Sequence, residues 1–259
     1  MLLNFRKLLN KHVLVIGGTS GIGRGVAEGI LSAGGRVSIA SLSQAKINAT
    51  LQELRNLFPE AHISGYRVDL ASDGTEKRLS ELLSAVAKDH GRLQHVVFTA
   101  GDALSGPTAP EAFTPELLAR LTHLRAIVPF TLVKVIVAEG HLDRDRSSSI
   151  LLTSGNVAVR PVPGWSVGNF VASGLEGAVR GLALDLAPLR VNVVAPGSVD
   201  TGLWGDDAAR QQVISRMDAR LPTGSIGHIE DVAEAYLWLL RDRNVTGMVA
   251  RTEGGLNLV

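Results

Sequence analysis

Four consecutive apolar residues, Val13-Leu14-Val15-Ile16, run directly into Gly17-Gly18-Thr19-Ser20-Gly21-Ile22-Gly23, and no other feature restricts the fold of this chain as much. A run this short and this apolar reads as a strand covered on both faces. Ile22, Val26, Ile30 and Ala33 then recur at helical spacing until Gly34-Gly35 stops the helix. The glycines therefore stand where a strand passes into a helix. Without side chains there, main-chain N–H groups and the positive helix end can approach an anion such as a pyrophosphate. Glycines also serve tight turns for main-chain reasons alone; their place between strand and helix is what favours a dinucleotide.

The same alternation continues along the chain. Strand-sized runs occur at Val37-Ser38-Ile39-Ala40, at 63–68, at His95-Val96-Val97-Phe98, Ile150-Leu151-Leu152, Val191-Asn192-Val193-Val194 and Met248-Val249-Ala250, with helical stretches between them. Thr114-Pro115 supplies a cap and a first-turn proline for one such helix. The pattern predicts a doubly wound parallel α/β sheet of Rossmann type, about seven strands with helices on both faces. No linker or repeat divides the chain, so residues 1–259 are expected to form one domain. The stretch 198–227 lacks strand character, carries Trp204 and Met217, and is expected to form a loop-and-helix lid over a substrate.

Net charge is +1, with 26 basic and 25 acidic residues and no basic cluster, which argues against a nucleic-acid partner. The absence of cysteine excludes disulfides and thiolate metal sites, and His123, His141 and Asp102 lack metal-like spacing, so no metal is expected. The N-terminal apolar stretch is broken by Asn4, Arg6 and Lys7, and the longest apolar segment, 127–138, contains Lys134 and is too short to span a bilayer. A soluble, cytoplasmic protein without a membrane partner is expected.

The spacing Gly17-x-x-x-Gly21-x-Gly23 resembles the short-chain dehydrogenase/reductase family, and the resemblance covers nearly the whole chain. Val68-Asp69-Leu70 resembles the family's adenine-contacting segment. Ala100-Gly101 matches the second half of its Asn-Asn-Ala-Gly motif, with Phe98 and Thr99 in place of the asparagines. Pro196-Gly197-Ser198-Val199-Asp200-Thr201 is similar to the segment whose threonine binds near the nicotinamide. The resemblance thus implies a nicotinamide dinucleotide held by Gly17, Thr19, Ser20, Gly21, Ile22, Gly23, Asp69, Leu70, Ala100, Gly101, Pro196, Gly197 and Thr201. At the end of the second strand Ala40-Ser41-Leu42-Ser43-Gln44 offers no carboxylate for a ribose 2′-hydroxyl. Ser41 and Ser43 would tolerate a 2′-phosphate, so NADP is favoured over NAD. The family's usual arginine at this point is Leu42; Arg24 and Lys46 are alternative sources of charge, or simply solvated helix residues.

The family's catalytic tyrosine, lysine, serine and asparagine answer a chemical need, because hydride delivery to a carbonyl makes an alkoxide that must be protonated and stabilised. Aligned on Pro163-Gly164 and on Glu176-Gly177, the tyrosine, lysine and serine positions fall on Gly168, Ala172 and Gly155, and Pro129-Phe130 places Arg125 in the asparagine slot. No tyrosine or lysine occurs between Thr153 and Arg180. Thr153-Ser154-Gly155, Arg160-Pro161 and Gly164-Trp165 instead resemble a divergent branch of the family, some fungal members of which act in alkaloid pathways as imine reductases or Diels–Alder catalysts. Hydride transfer to an iminium neutralises charge and needs no such acid; the protein need only hold donor and acceptor together. The candidate catalytic residues are Arg125 as a fixed cation or donor, Trp165 as a stacking wall and Ser154 as a hydroxyl donor. A structural ion pair for Arg125 and plain packing for Trp165 are the competing roles. The function expected is an atypical NADP(H)-dependent reductase of an imine-like or activated small molecule in secondary metabolism. A non-redox isomerase or cyclase and a catalytically silent NADP-binding protein are the alternatives. The apolar helices at 127–138 and 171–186 are expected to support a homodimer or homotetramer.

Overall fold

The computed structural model describes residues 4–71, 73–101, 108–204 and 207–259; Asp102 and residues 205–206 of the expected lid lie outside it. The strands are β1 (His12–Ile16), β2 (Arg36–Ser41), β3 (Ile63–Arg67), β4 (His95–Phe98), β5 (Ser149–Thr153), β6 (Arg190–Pro196) and β7 (Val249–Thr252). They form one seven-stranded sheet in the order β3-β2-β1-β4-β5-β6-β7, every neighbouring pair parallel. The expected runs are all strands, and β1, β4 and β6 are buried throughout, as sheets covered on both faces require.

Helices α1 (Gly21–Ser32), α2 (Gln44–Leu57) and α8 (Ile229–Arg241) cover one face, around Val13, Val15, Ile30, Ile39, Ile47 and Tyr236. Helices α3 (Thr75–His90), α5 (Val128–Glu139) and α6 (Ser166–Asp185) cover the other, around Leu14, Leu83, Leu132, Ile150 and Val179. Thr114 caps the short helix α4 (Pro115–Thr122), its hydroxyl accepting from Leu117 N at 3.2 Å. Arg190 ties the far end of α8 to β6 by donating to the main-chain oxygens of Leu239, Leu240, Asp242 and Val245.

Two expectations change. The helix expected at 171–186 begins at Ser166, and the one at 127–138 continues α4 through a wider π-helical turn, His123–Ile127. The resulting helix, Pro115–Glu139, has 25 residues and is long and apolar enough to cross a membrane by length and composition alone. Core helices pass the same test, and α5 buries Val128, Leu132, Val133, Val135 and Ile136 within the domain. Lys134, on its other side, pairs with Glu76 at 2.7 Å.

The stretch 198–227 folds back on itself, holding a 3₁₀ turn (Gly202–Trp204) and α7 (Asp207–Asp218). Val199 bridges Gly227, and Trp204 Nε1 donates to Val199 O at 2.7 Å. Arg210 pairs with Asp200 and holds its carboxyl below the usual range.

Candidate functional site

Chain order reverses between β1 and β4, so a crevice opens at their carboxyl ends, the place where open α/β sheets take ligands. The glycine turn forms one wall. A Cβ on Gly17 would lie 2.6 Å from Ala100 N, and one on Gly23 would lie 2.3 Å from Gly17 O and 2.4 Å from Thr99 Oγ1. Only glycine allows that approach. Gly21 has φ of +51°, the left-handed region, and its Cβ position is 3.4 Å from Thr201 Cγ2, so the Pro196-Gly197 segment closes over the turn. Ser20 occupies the N-cap of α1 in extended conformation, yet its side chain makes no capping bond. The first-turn N–H groups of Ile22 and Gly23 thus stand without a side-chain cap, which fits a pyrophosphate.

Sequence reading noted Thr99 only as a replaced asparagine and overlooked its role. Its hydroxyl donates to Ile16 O at 3.1 Å and lies beneath Gly17 and Gly23, pinning β4 to β1 where the family motif has asparagine. The replacement itself was visible, but not the direction of its hydroxyl.

At the end of β2 Thr19 Oγ1 donates to Ser41 Oγ at 3.0 Å, so the Ser41 proton remains available to a ligand. Ser43 is the N-cap of α2, accepting from Lys46 N at 3.3 Å. Arg24 is claimed by two carboxylates, Glu28 at 2.6 Å and Glu53 at 2.9 Å. Asp69 forms a turn, its Oδ1 accepting from Ala71 N at 3.0 Å. The Leu70 side chain is buried in the core and its carbonyl accepts from His123 Nε2 at 3.0 Å. Arg67, which sequence reading also overlooked, ends β3 with Nε donating to Leu42 O at 3.2 Å.

At the opposite end Arg125 sits in the π-helical turn, and its guanidinium is 2.6–3.0 Å from where a Gly101 Cβ would be. A planar cation therefore lies against the main chain that leaves β4. The π-helical turn packs on α6, whose N-cap is Trp165. The half-buried indole reaches within 3.5 Å of a Cβ position on Gly168. Asn169, next in line, donates to Val157 O at 2.6 Å and anchors the loop that carries Arg160.

Ser154 points elsewhere than a hydroxyl donor to substrate requires. Its single proton is directed at Ala172 O (3.1 Å) and Glu176 Oε1 (3.4 Å), and Glu176 is gripped by both terminal nitrogens of Arg251 at 3.0 and 2.6 Å. The strand-end twist that brings Thr153 Oγ1 to Phe98 O at 2.8 Å turns the next side chain toward α6. Neither tyrosine replaces a missing acid. Tyr66 bonds Asp89 at the surface, and Tyr236, wholly buried, bonds Thr153 Oγ1 at 2.8 Å while burial pushes its hydroxyl well above the usual range.

The model of the SDR-like Rossmann domain matches residues 4–259, and the chain belongs to the short-chain dehydrogenase/reductase family. Among its relatives is short-chain dehydrogenase/reductase fsr5 of Gibberella fujikuroi, 40% identical over 256 residues that cover 96% of this chain and 95% of the other. Short-chain dehydrogenase/reductase ATR9 of Stachybotrys chlorohalonatus is 37% identical over 247 residues, covering 95% and 96%. The solved structure of the MalC Reductase/Diels-Alderase from Malbranchea aurantiaca superposes with a TM-score of 0.91 at 36% identity, over 98% of this chain and 99% of that one.

Proposed function

We propose that this protein is an NADP(H)-dependent reductase acting on an imine-like or otherwise activated small molecule of secondary metabolism. The observation that carries this reading is Arg125, a guanidinium laid against Gly101 at the mouth of the crevice, on a site that has no tyrosine or lysine to protonate an alkoxide. The nicotinamide, when bound, supplies the hydride. The chain's own residues then bind and orient. The glycine turn and the open α1 N-terminus hold the pyrophosphate, and Thr201 closes beside Gly21. Trp165 forms an apolar wall that excludes water and stacks on a flat substrate. Arg125 orients the substrate through an acceptor oxygen, a role a fixed cation fills without a proton transfer. An iminium acceptor loses its charge in the reaction, so proximity and orientation suffice. Ser154 serves α6 rather than substrate, and the 198–227 segment covers the site.

A second reading is a non-redox cyclisation in the same pocket. It is favoured by the likeness to a protein whose printed description names both a reductase and a Diels–Alderase. Both readings go with a homodimer or homotetramer, supported by the exposed apolar side chains of Ile127, Phe130 and Val137 on either side of Lys134 on the outer face of the α5 helix, and of Phe170 and Leu184 on α6.

The experiment is calorimetric titration of purified protein with NADPH and NADH, followed by turnover of cyclic imines, ketones and enones with wild type and Arg125→Ala. The reductase reading requires NADPH binding, NADPH oxidation by an imine, and loss of that turnover in Arg125→Ala with binding retained. Binding without consumption by any substrate would overturn the reductase reading. No binding of either dinucleotide would overturn the proposal.

A further inference from the structure

We propose that Arg67, reaching across from β3, is the cation that receives the 2′-phosphate of NADP(H); the inference rests on the cofactor reading above and names the residue that makes it specific. The sequence at the end of β2 presents a difficulty for NADP. Leu42 stands where a cation is needed, and 41–46 contains neither an acid nor an arginine. Parallel pairing resolves it. Ser41 is in register with Arg67, and paired residues of a parallel ladder point to the same face. Val37, Ile39 and Ile63 on that face pack with α1 and α2, whereas Tyr66 and Val68 pack on the other. Ser41 and Arg67 therefore both face the side on which Thr19 meets Ser41.

The guanidinium is already held in place. Nε donates to Leu42 O at 3.2 Å, so a charge from β3 stands beside the residue that lacks one. Arg67 is exposed, and among the described residues no carboxylate pairs with it, which leaves its terminal nitrogens for the bidentate contact that phosphate favours. Arg24 is the contrasting case. It is 15% exposed and engaged by Glu28 and Glu53, so its charge is compensated. Lys46 is an exposed point charge on the first turn of α2. That turn contains no acid and starts at Ser43, so the helix end adds to a field favouring an anion. The resulting cradle is Arg67, the hydroxyls of Thr19, Ser41 and Ser43, and the N-terminus of α2.

The test is equilibrium binding, which needs no substrate. Dissociation constants for NADPH, NADH, 2′,5′-ADP and 5′-AMP are measured by calorimetry on wild type, Arg67→Ala, Arg67→Lys and Lys46→Ala. Arg67→Ala is expected to weaken NADPH and 2′,5′-ADP about 10- to 100-fold, the loss of a charge-assisted bidentate contact, with NADH and 5′-AMP changed less than about twofold. Arg67→Lys should fall between wild type and alanine. Unchanged NADH binding reports an intact fold. NADPH affinity retained in Arg67→Ala, or lost in Lys46→Ala instead, overturns the assignment to Arg67 while leaving the cofactor reading in place. Equal affinity of wild type for NADPH and NADH overturns the cofactor reading itself.

Discussion

Replacing Gly23 with alanine puts a Cβ 2.3 Å from Gly17 O and 2.4 Å from Thr99 Oγ1, well inside any real carbon–oxygen contact. Neither oxygen yields easily. Gly17 belongs to a turn whose N–H bonds Ala40 O at 2.8 Å, and Thr99 is bound to Ile16 O through both its N–H (2.8 Å) and its hydroxyl (3.1 Å). Relief needs a movement of about 1 Å, and overpacking of this kind costs about 1–3 kcal/mol. Alanine returns up to about 1 kcal/mol in helix propensity. With that offset the net loss is about 0–2 kcal/mol, each kcal/mol lowering Tm by about 2–4 °C in a domain of this size. The ligand effect is larger. Displacing the turn misaligns charge-assisted N–H bonds worth about 1.5–3 kcal/mol each, so NADPH binding should weaken at least about 100-fold for two such bonds. Gly74→Ala is the control: φ is +83° with nothing near its Cβ position, so it should lose about 1–2 kcal/mol of stability through strain and leave binding unchanged. Scanning fluorimetry and calorimetric titration of the two variants separate the effects. A folded Gly23→Ala that binds NADPH within threefold of wild type would refute the turn as the pyrophosphate cradle.

Three further outcomes follow from the buried polar groups. Tyr236→Phe removes the bond to Thr153 Oγ1 and should lower unfolding free energy by about 0.5–1.5 kcal/mol without altering dinucleotide affinity; a changed affinity would show that Tyr236 reaches the site. Burial holds His95 at about 3 and His12 at about 4, below the ordinary 6.5. The unfolded chain takes up these protons first, so stability is full above pH ~6.5 and falls as the pH drops toward ~4, by up to about 1.4 kcal/mol per pH unit for each histidine. Urea midpoints at pH ~7.5 and ~5 check this, and His95→Gln should reduce the slope; equal slopes in both proteins would remove His95 as a cause. Arg251→Ala leaves the Glu176 carboxylate buried without its bidentate partner and should destabilise by about 3–5 kcal/mol, more than Glu176→Gln, which keeps hydrogen-bonding capacity. Chemical denaturation of the two variants gives the order, and the reverse order would refute the pair as described.

The sequence by itself determined the order and type of the elements, the doubly wound sheet and the glycine turn between β1 and α1. These follow from local rules: apolar runs of strand length, helical recurrence at Ile22, Val26 and Ile30, a cap at Thr114 and a left-handed stop at Gly34, φ +76°. Such rules act over one turn or one strand step. Only the tertiary structure decided where side chains at strand ends point and which distant residues meet. Ser154 has the composition of a catalytic donor, but the end of β5 turns it to α6 and Glu176. Thr99 looked like a lost asparagine until its hydroxyl was seen pinning β4 to β1. Arg125 acquires a position only because a π-helical turn carries it onto Gly101. Arg67 lies 25 residues from Leu42 in the chain, and only the register between β2 and β3 sets its charge beside the position where the motif lacks one. Register between strands is set by packing of both sheet faces at once, and no window of neighbouring residues contains that information.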